Sequence, residues 1–161
     1  MKQYQASRAW RNNNPLNIRR GEPWSGLTAR QTDPLFCQFL TMSFGYRAAA
    51  KVLKSYARLF AQQGKAWTVE NILLRWAPPR ENDTTQYLAR VLALMGRTGA
   101  ADVRLAPLYT RPGQQQAALM VAAMTCVEAG CPPSAVPVGS LNTGFVLAGL
   151  GDPRLTSDWW R

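Results

Sequence analysis

The chain has 161 residues, 47% of them hydrophobic; that is one domain's worth and enough to bury a core, so a disordered protein is excluded. Nineteen Lys and Arg against nine Asp and Glu give a formal charge of +10, which points the surface toward anionic partners: nucleic acid, acidic lipid or a cell-wall polymer. Histidine is absent, which removes Ser/His and Cys/His nucleophile pairs and most zinc-site designs.

The first ten residues, MKQYQASRAW, contain no apolar signal core, and no apolar run reaches the ~18 residues of a membrane helix. The expectation is synthesis in a cytoplasm without a signal peptide, with no membrane span and with delivery elsewhere left to another agent. RAWRNNNPLNIRR then sets three asparagines and a proline among good turn formers, between Trp10 and Trp24. FCQFL, Phe36 to Leu40, is a short extended candidate. Ser43 is the expected N-cap of a long helix, FGYRAAAKVLKSYARLFAQQ, closed by Gly64.

Thr68 starts a second helix that Pro78 and Pro79 stop, and NDTT caps a third, QYLARVLALM, ended by Gly96. Residues 96–112 read as a connection, punctuated by Pro107 and Pro112. A fourth helix runs from about Gln114 to Ala129, CPPSAVPVGS is a loop, and SLNTGFVLAGL is a short fifth helix. The expected fold is a compact all-α domain with at most a short strand pair. Its parts are an N-terminal turn and extended segment (1–42), a helical core (43–96) and C-terminal helices (113–150).

Cys37, Cys126 and Cys131 are an odd set, and a helical i,i+5 pair such as Cys126 and Cys131 stands roughly 8 Å apart along the axis, so reduced thiols are expected. The carboxylates are few enough to take one by one. Glu70 falls in the first turn of its helix and Asp83 among cap residues, both structural positions. Glu128 is the sole charge after eleven uncharged residues, and its helical row runs through Met124, Val121 and Ala117. Desolvation there raises a carboxyl pKa toward the range of a proton donor, and the C-terminal end of the helix at Gly130 acts in the same direction. The alternative is a side chain that turns to solvent or pairs with one of the 15 arginines. Glu81, after the double proline and beside Arg80, is favoured as an ionised group: a base, a stabilising anion or part of a cap.

RNNNPLNIRR, Trp24-Ser25-Gly26, FCQFLTMSFGYRAAAKVLKSY and RWAPPRENDTTQYLARV together resemble phage-encoded, virion-associated murein-degrading proteins, near-continuously over Arg11 to Val91. Those proteins carry Asn-Asn-Pro-Gly-Asn-Ile-Arg, where Leu16 replaces the glycine here. Their later His-Glu-Asn-Gly element is represented by Val127-Glu128-Ala129-Gly130, which keeps Glu128 and Gly130. A more distant similarity is to bacterial cell-wall N-acetylglucosaminidases of the lysozyme-like superfamily, with Asn12 to Arg19, Phe36 to Phe39 and Thr84 to Tyr87 in the family's order. Their Glu-x-Gly helix stands first and here comes last, which a circular permutation accounts for.

The resemblance implies a lysozyme-like fold and a peptidoglycan glycosidase, whether muramidase, glucosaminidase or lytic transglycosylase. In it Glu128 and Glu81 are the catalytic candidates, and Asn12, Asn13, Asn14, Asn17, Trp24 and Tyr87 meet the glycan. No cofactor or metal is expected; the partners are peptidoglycan and other virion proteins, and the place of action is the virion or the periplasm. Two rivals stand beside it: a structural virion protein of the same descent that has lost catalysis, and a basic nucleic-acid-binding protein. The basic residues are dispersed and accompany no nucleic-acid-binding motif, which disfavours a specific nucleic-acid partner.

Overall fold

The computed structural model describes residues 1–97 and 103–161, and the expected connection over 96–112 therefore lies partly outside the described residues. Six α-helices appear within them: α1 (Arg8–Arg11), α2 (Met42–Gln63), α3 (Val69–Trp76), α4 (Thr84–Leu94), α5 (Arg111–Ala129) and α6 (Val138–Leu147). Among the described residues extended pairing is confined to isolated bridges, Arg19 with Phe36, Leu27 with Phe39 and Thr68 with Arg104. The all-α expectation holds.

α5 is the axis of the molecule. From Ala117 to Cys126 every residue except Leu119 is buried, on all sides of the helix, which only a helix enclosed by others can afford. α1, α4 and α6 pack against it, α3 packs on α4, and α2 lies along α6. The α2–α6 crossing is close because Gly144 has no side chain: a Cβ there would stand 2.5 Å from the Cβ of Tyr46. Tyr46 in turn reaches α5, its hydroxyl lying 3.0 Å from that of Thr125. A buried phenol and a buried hydroxyl thus satisfy each other and join α2 to α5.

Boundaries shifted where cap chemistry outranked periodicity. α2 is capped by Thr41, whose hydroxyl accepts from the Phe44 amide, rather than by Ser43; its other end is Gly64, left-handed at φ 63° as expected. α5 starts at Arg111 behind the Thr110 cap, so Pro112 belongs to its first turn, where proline costs no hydrogen bond. α1 was not anticipated, since four residues are too few to show a period. No described helix is long and apolar enough to cross a membrane.

Candidate functional site

The Asn12–Asn17 turn is ordered by its own side chains. Asn14 is fully buried; its amide nitrogen donates to the carbonyls of Ile18 (2.9 Å) and Cys37 (3.0 Å), and its oxygen accepts from the Ile18 amide at 2.9 Å. Asn12 donates to Asp33 at 3.0 Å and accepts from Gln38 at 3.2 Å. Asn13, left-handed at φ 49°, donates to the carbonyls of Phe39 and Leu40. Of the asparagines expected to meet a glycan, these three spend their amides within the chain, binding the turn to Asp33 and to the Phe36–Leu40 segment. A non-repetitive turn has no ladder for its buried polar groups, and asparagine supplies the missing partners.

Two neighbours complete this frame. Leu16, where the resembling proteins have glycine, is 2% exposed and anchors the turn in the core. Gly45 of α2 receives the turn's other face: a Cβ would collide with the Asn13 carbonyl oxygen and lie 2.7 Å from the Pro15 ring. Asp33 was not singled out in the sequence, though Asp-Pro is a turn signal. It accepts from the Leu35 and Phe36 amides at 2.9 and 3.0 Å and from Asn12, and it pairs with Arg8 at 2.8 Å. These bonds, the Leu35 amide foremost, hold its carboxyl well below the usual carboxylate range.

Asn17 closes the turn toward a different element. It is left-handed at φ 52°, a conformation asparagine tolerates, and its amide nitrogen donates to the main-chain carbonyl of Glu128 at 3.4 Å. Glu128 occupies the last turn of α5, ahead of Gly130, which reverses the chain at φ 64°. Burial pushes its carboxyl up to about 7, with the Asn17 amide opposing the rise. Tyr87, on α4, packs within the field of the same carboxyl: burial raises its phenol well above the ordinary value, and the Glu128 charge adds to that.

Three atoms of this group, Asn17 Oδ1, Tyr87 Oη and Glu128 Oε2, are buried without a hydrogen-bond partner. Buried polar atoms are normally paired; the indole nitrogens of Trp24, Trp67 and Trp159 are orphaned as well, and what sets these three apart is that they stand on residues linked through the Asn17–Glu128 hydrogen bond and the influence of Glu128 on Tyr87. The hydrogen count is also informative. An ionised Glu128 and the Asn17 oxygen only accept, while a protonated Glu128 supplies one more donor, so the neutral acid suits this environment better.

The remaining candidates fall into two places. Glu81 is 46% exposed at its side chain and faces Arg19 at 3.9 Å, rather than the adjacent Arg80. Arg19 is two residues after Asn17, so the side chains that meet Glu81 and Glu128 start from Cα atoms no more than about 7 Å apart. Trp24 lines a hollow formed with Glu22, Pro23, Ser25, Arg47 and Lys51, which includes none of Asn17, Tyr87 and Glu128. The structure thus gathers Asn17, Tyr87 and Glu128, pairs Glu81 with Arg19, and places Trp24 in another group.

All three cysteines are free and buried. Cys126 lies within α5, whereas Cys131 follows the left-handed Gly130 and is off the helix, its Sγ 4.0 Å from the Thr125 carbonyl oxygen. Their separation therefore cannot be taken from helix rise.

No family model matches the chain. It is 41% identical over 88 residues to Protein P5 of Pseudoalteromonas phage PM2, a match that covers 52% of this chain and 52% of the relative. The chain thus spans about half the length of the curated relative it matches, and it is similar over that half to a phage protein.

Proposed function

We propose that this protein is a virion-associated, lysozyme-like glycosidase that cleaves bonds between aminosugars of peptidoglycan during phage entry or lysis. The observation that carries the reading is the Glu128 carboxyl, raised to about 7 and held with an unpartnered oxygen beside Tyr87 and Asn17. A carboxyl half-protonated near neutrality is suited to give a proton to a glycosidic oxygen. Glu81, paired to Arg19 and half exposed, is the available second carboxylate. Where it stands too far to serve, the substrate's own N-acetyl or 6-hydroxyl group completes the displacement.

The similarity to a phage protein supports the virion setting, and the charge of +10 supports attraction to an anionic wall. The meeting of Glu128 with Asn17 and Tyr87 supports the permuted relationship to N-acetylglucosaminidases, since the segments that resemble theirs converge on one carboxyl.

One observation favours a second reading, a virion component that keeps the fold without cleaving glycan: Oε2 of Glu128 is closed to solvent, so a substrate reaches it only after the turn yields. Digestion of purified sacculi, followed by mass spectrometry of the released muropeptides, separates the two. Fragments with new reducing ends identify a hydrolase and 1,6-anhydro ends a transglycosylase; no release by wild-type protein, with no difference from Glu128→Gln, leaves the structural component.

A further inference from the structure

A cavity of about 510 Å³ lies away from Glu128, between the C-terminal half of α2 and the segment that leads into α5. Its walls are Phe60, Ala61, Trp67, Leu105 and Leu108, and its polar groups stand at Lys54, Arg58, Lys65 and Tyr109. Among the described residues no carboxylate lines it and none of the three cations is in an ion pair. Lys54 is held in place, donating to the Ala148 carbonyl at 2.9 Å and standing 6.0 Å from the Tyr109 ring centroid. Lys65 lies 5.2 Å from the Phe60 ring centroid, and Arg58 and Lys65 are exposed. Tyr109 is 63% exposed, a large aromatic ring at a rim where solvent alone gives it no partner.

The volume falls within the range of small-molecule sites, and so does the division into apolar walls and a few convergent charges. A nucleobase needs polar groups along its edge, and these walls offer almost none, whereas an acyl chain needs only apolar contact. We propose that this cavity binds a single-chain anionic amphiphile, its chain against Ala57, Trp67 and Pro107 and its carboxylate or phosphate among Lys54, Arg58 and Lys65. This site is independent of the chemistry at Glu128.

The test is calorimetric titration of the whole protein with dodecanoate below its micellar concentration, beside dodecyltrimethylammonium as a cation with the same tail. Saturable one-to-one binding of dodecanoate alone is expected. The double variant Arg58→Ala/Lys65→Ala should weaken it by ~10-fold or more, and Ala61→Trp, which fills the mouth from an exposed position, should abolish it. Equal binding of the cation, no binding of either, or wild-type affinity in a folded Ala61→Trp protein overturns the proposal. Sedimentation with phosphatidylglycerol vesicles then assigns the source. Recruitment that Ala61→Trp abolishes points to a bilayer lipid; recruitment indifferent to that variant, with dodecanoate binding lost, points to a free amphiphile.

Discussion

The Asn17 amide donates to the main-chain carbonyl of Glu128 at 3.4 Å across 111 positions of sequence, so the N-terminal turn and the end of the central helix form one locality. Asn17 also tempers the burial that raises the Glu128 carboxyl. This contact makes the acid's protonation a property of two distant segments at once, and the predictions follow from it.

Glu128→Gln keeps the shape of a protonated side chain and removes its proton. Murein release should fall ~100-fold or more, with sacculus binding retained. Glu81→Gln, acting on an exposed pair with Arg19, should cost less. A well-folded Glu81→Gln protein that is inactive while Glu128→Gln turns over normally would transfer the acid's role to Glu81.

The same substitution has a thermodynamic signature. The folded carboxyl titrates at about 7, above an unfolded value near 4.5, so the unfolded state ionises first as pH rises. Wild-type stability attributable to Glu128 should therefore decline from about pH 4.5 to 7 and stay low above, by on the order of 3 kcal/mol at most. Urea titrations at pH 4 and pH 8 should show Glu128→Gln gaining on wild type at the higher pH; equal differences at both would mean the carboxyl is not desolvated. In turnover, kcat/KM should fall about tenfold per unit above pH 7.

The outline of the helices was readable in the sequence because cap chemistry is local: Thr68, Asp83, Gly64 and Gly130 stand at the ends where residue type alone places them. Glu128 was readable for the same reason, since its apolar row lies on one helix. The role of the asparagines was not. Whether an amide faces a ligand or a neighbouring carbonyl depends on which segment folds back on the turn, and the partners of Asn14 and Asn12, up to Cys37 and Gln38, are 23 and 26 positions away. The placement of Cys131 was hidden likewise, because one left-handed glycine turns the chain off the helix before it.

Tyr87→Phe separates a site from a packing role. The phenol is buried without a partner, and its removal relieves an unsatisfied group, so the melting temperature should hold or rise. Activity should nevertheless fall ~10-fold or more if the hydroxyl meets substrate or the acid. Unchanged turnover would leave Tyr87 a core residue.

Asp33 sets the acid limit of the turn. Its folded pKa is depressed, so the stability it contributes is complete above the unfolded value near 4 and is lost as pH falls below that toward the folded one. Asp33→Asn should lower the melting temperature by ~5 °C or more at pH 7, and the gap should narrow in the acid range. A constant gap from pH 7 to pH 2 would show that the bonds from Leu35 and Phe36, not the charge, carry the effect.

Attraction to an anionic wall through exposed arginines is screened by salt. Retention on sacculi should drop as NaCl rises from about 50 to about 500 mM, over which the Debye length shrinks from roughly 14 to roughly 4 Å. Equal retention throughout would assign the affinity to aromatic and hydrogen-bond contacts.

The joining of residue 17 to residue 128 also orders events on the ribosome. The turn is made early, yet the helix end that it covers emerges more than a hundred residues later, when most of α5 has left the exit tunnel. Until then Glu128 is an ordinary, ionised carboxyl in water. Its altered titration therefore needs both segments in place, and a chain that ends before α5 cannot carry it.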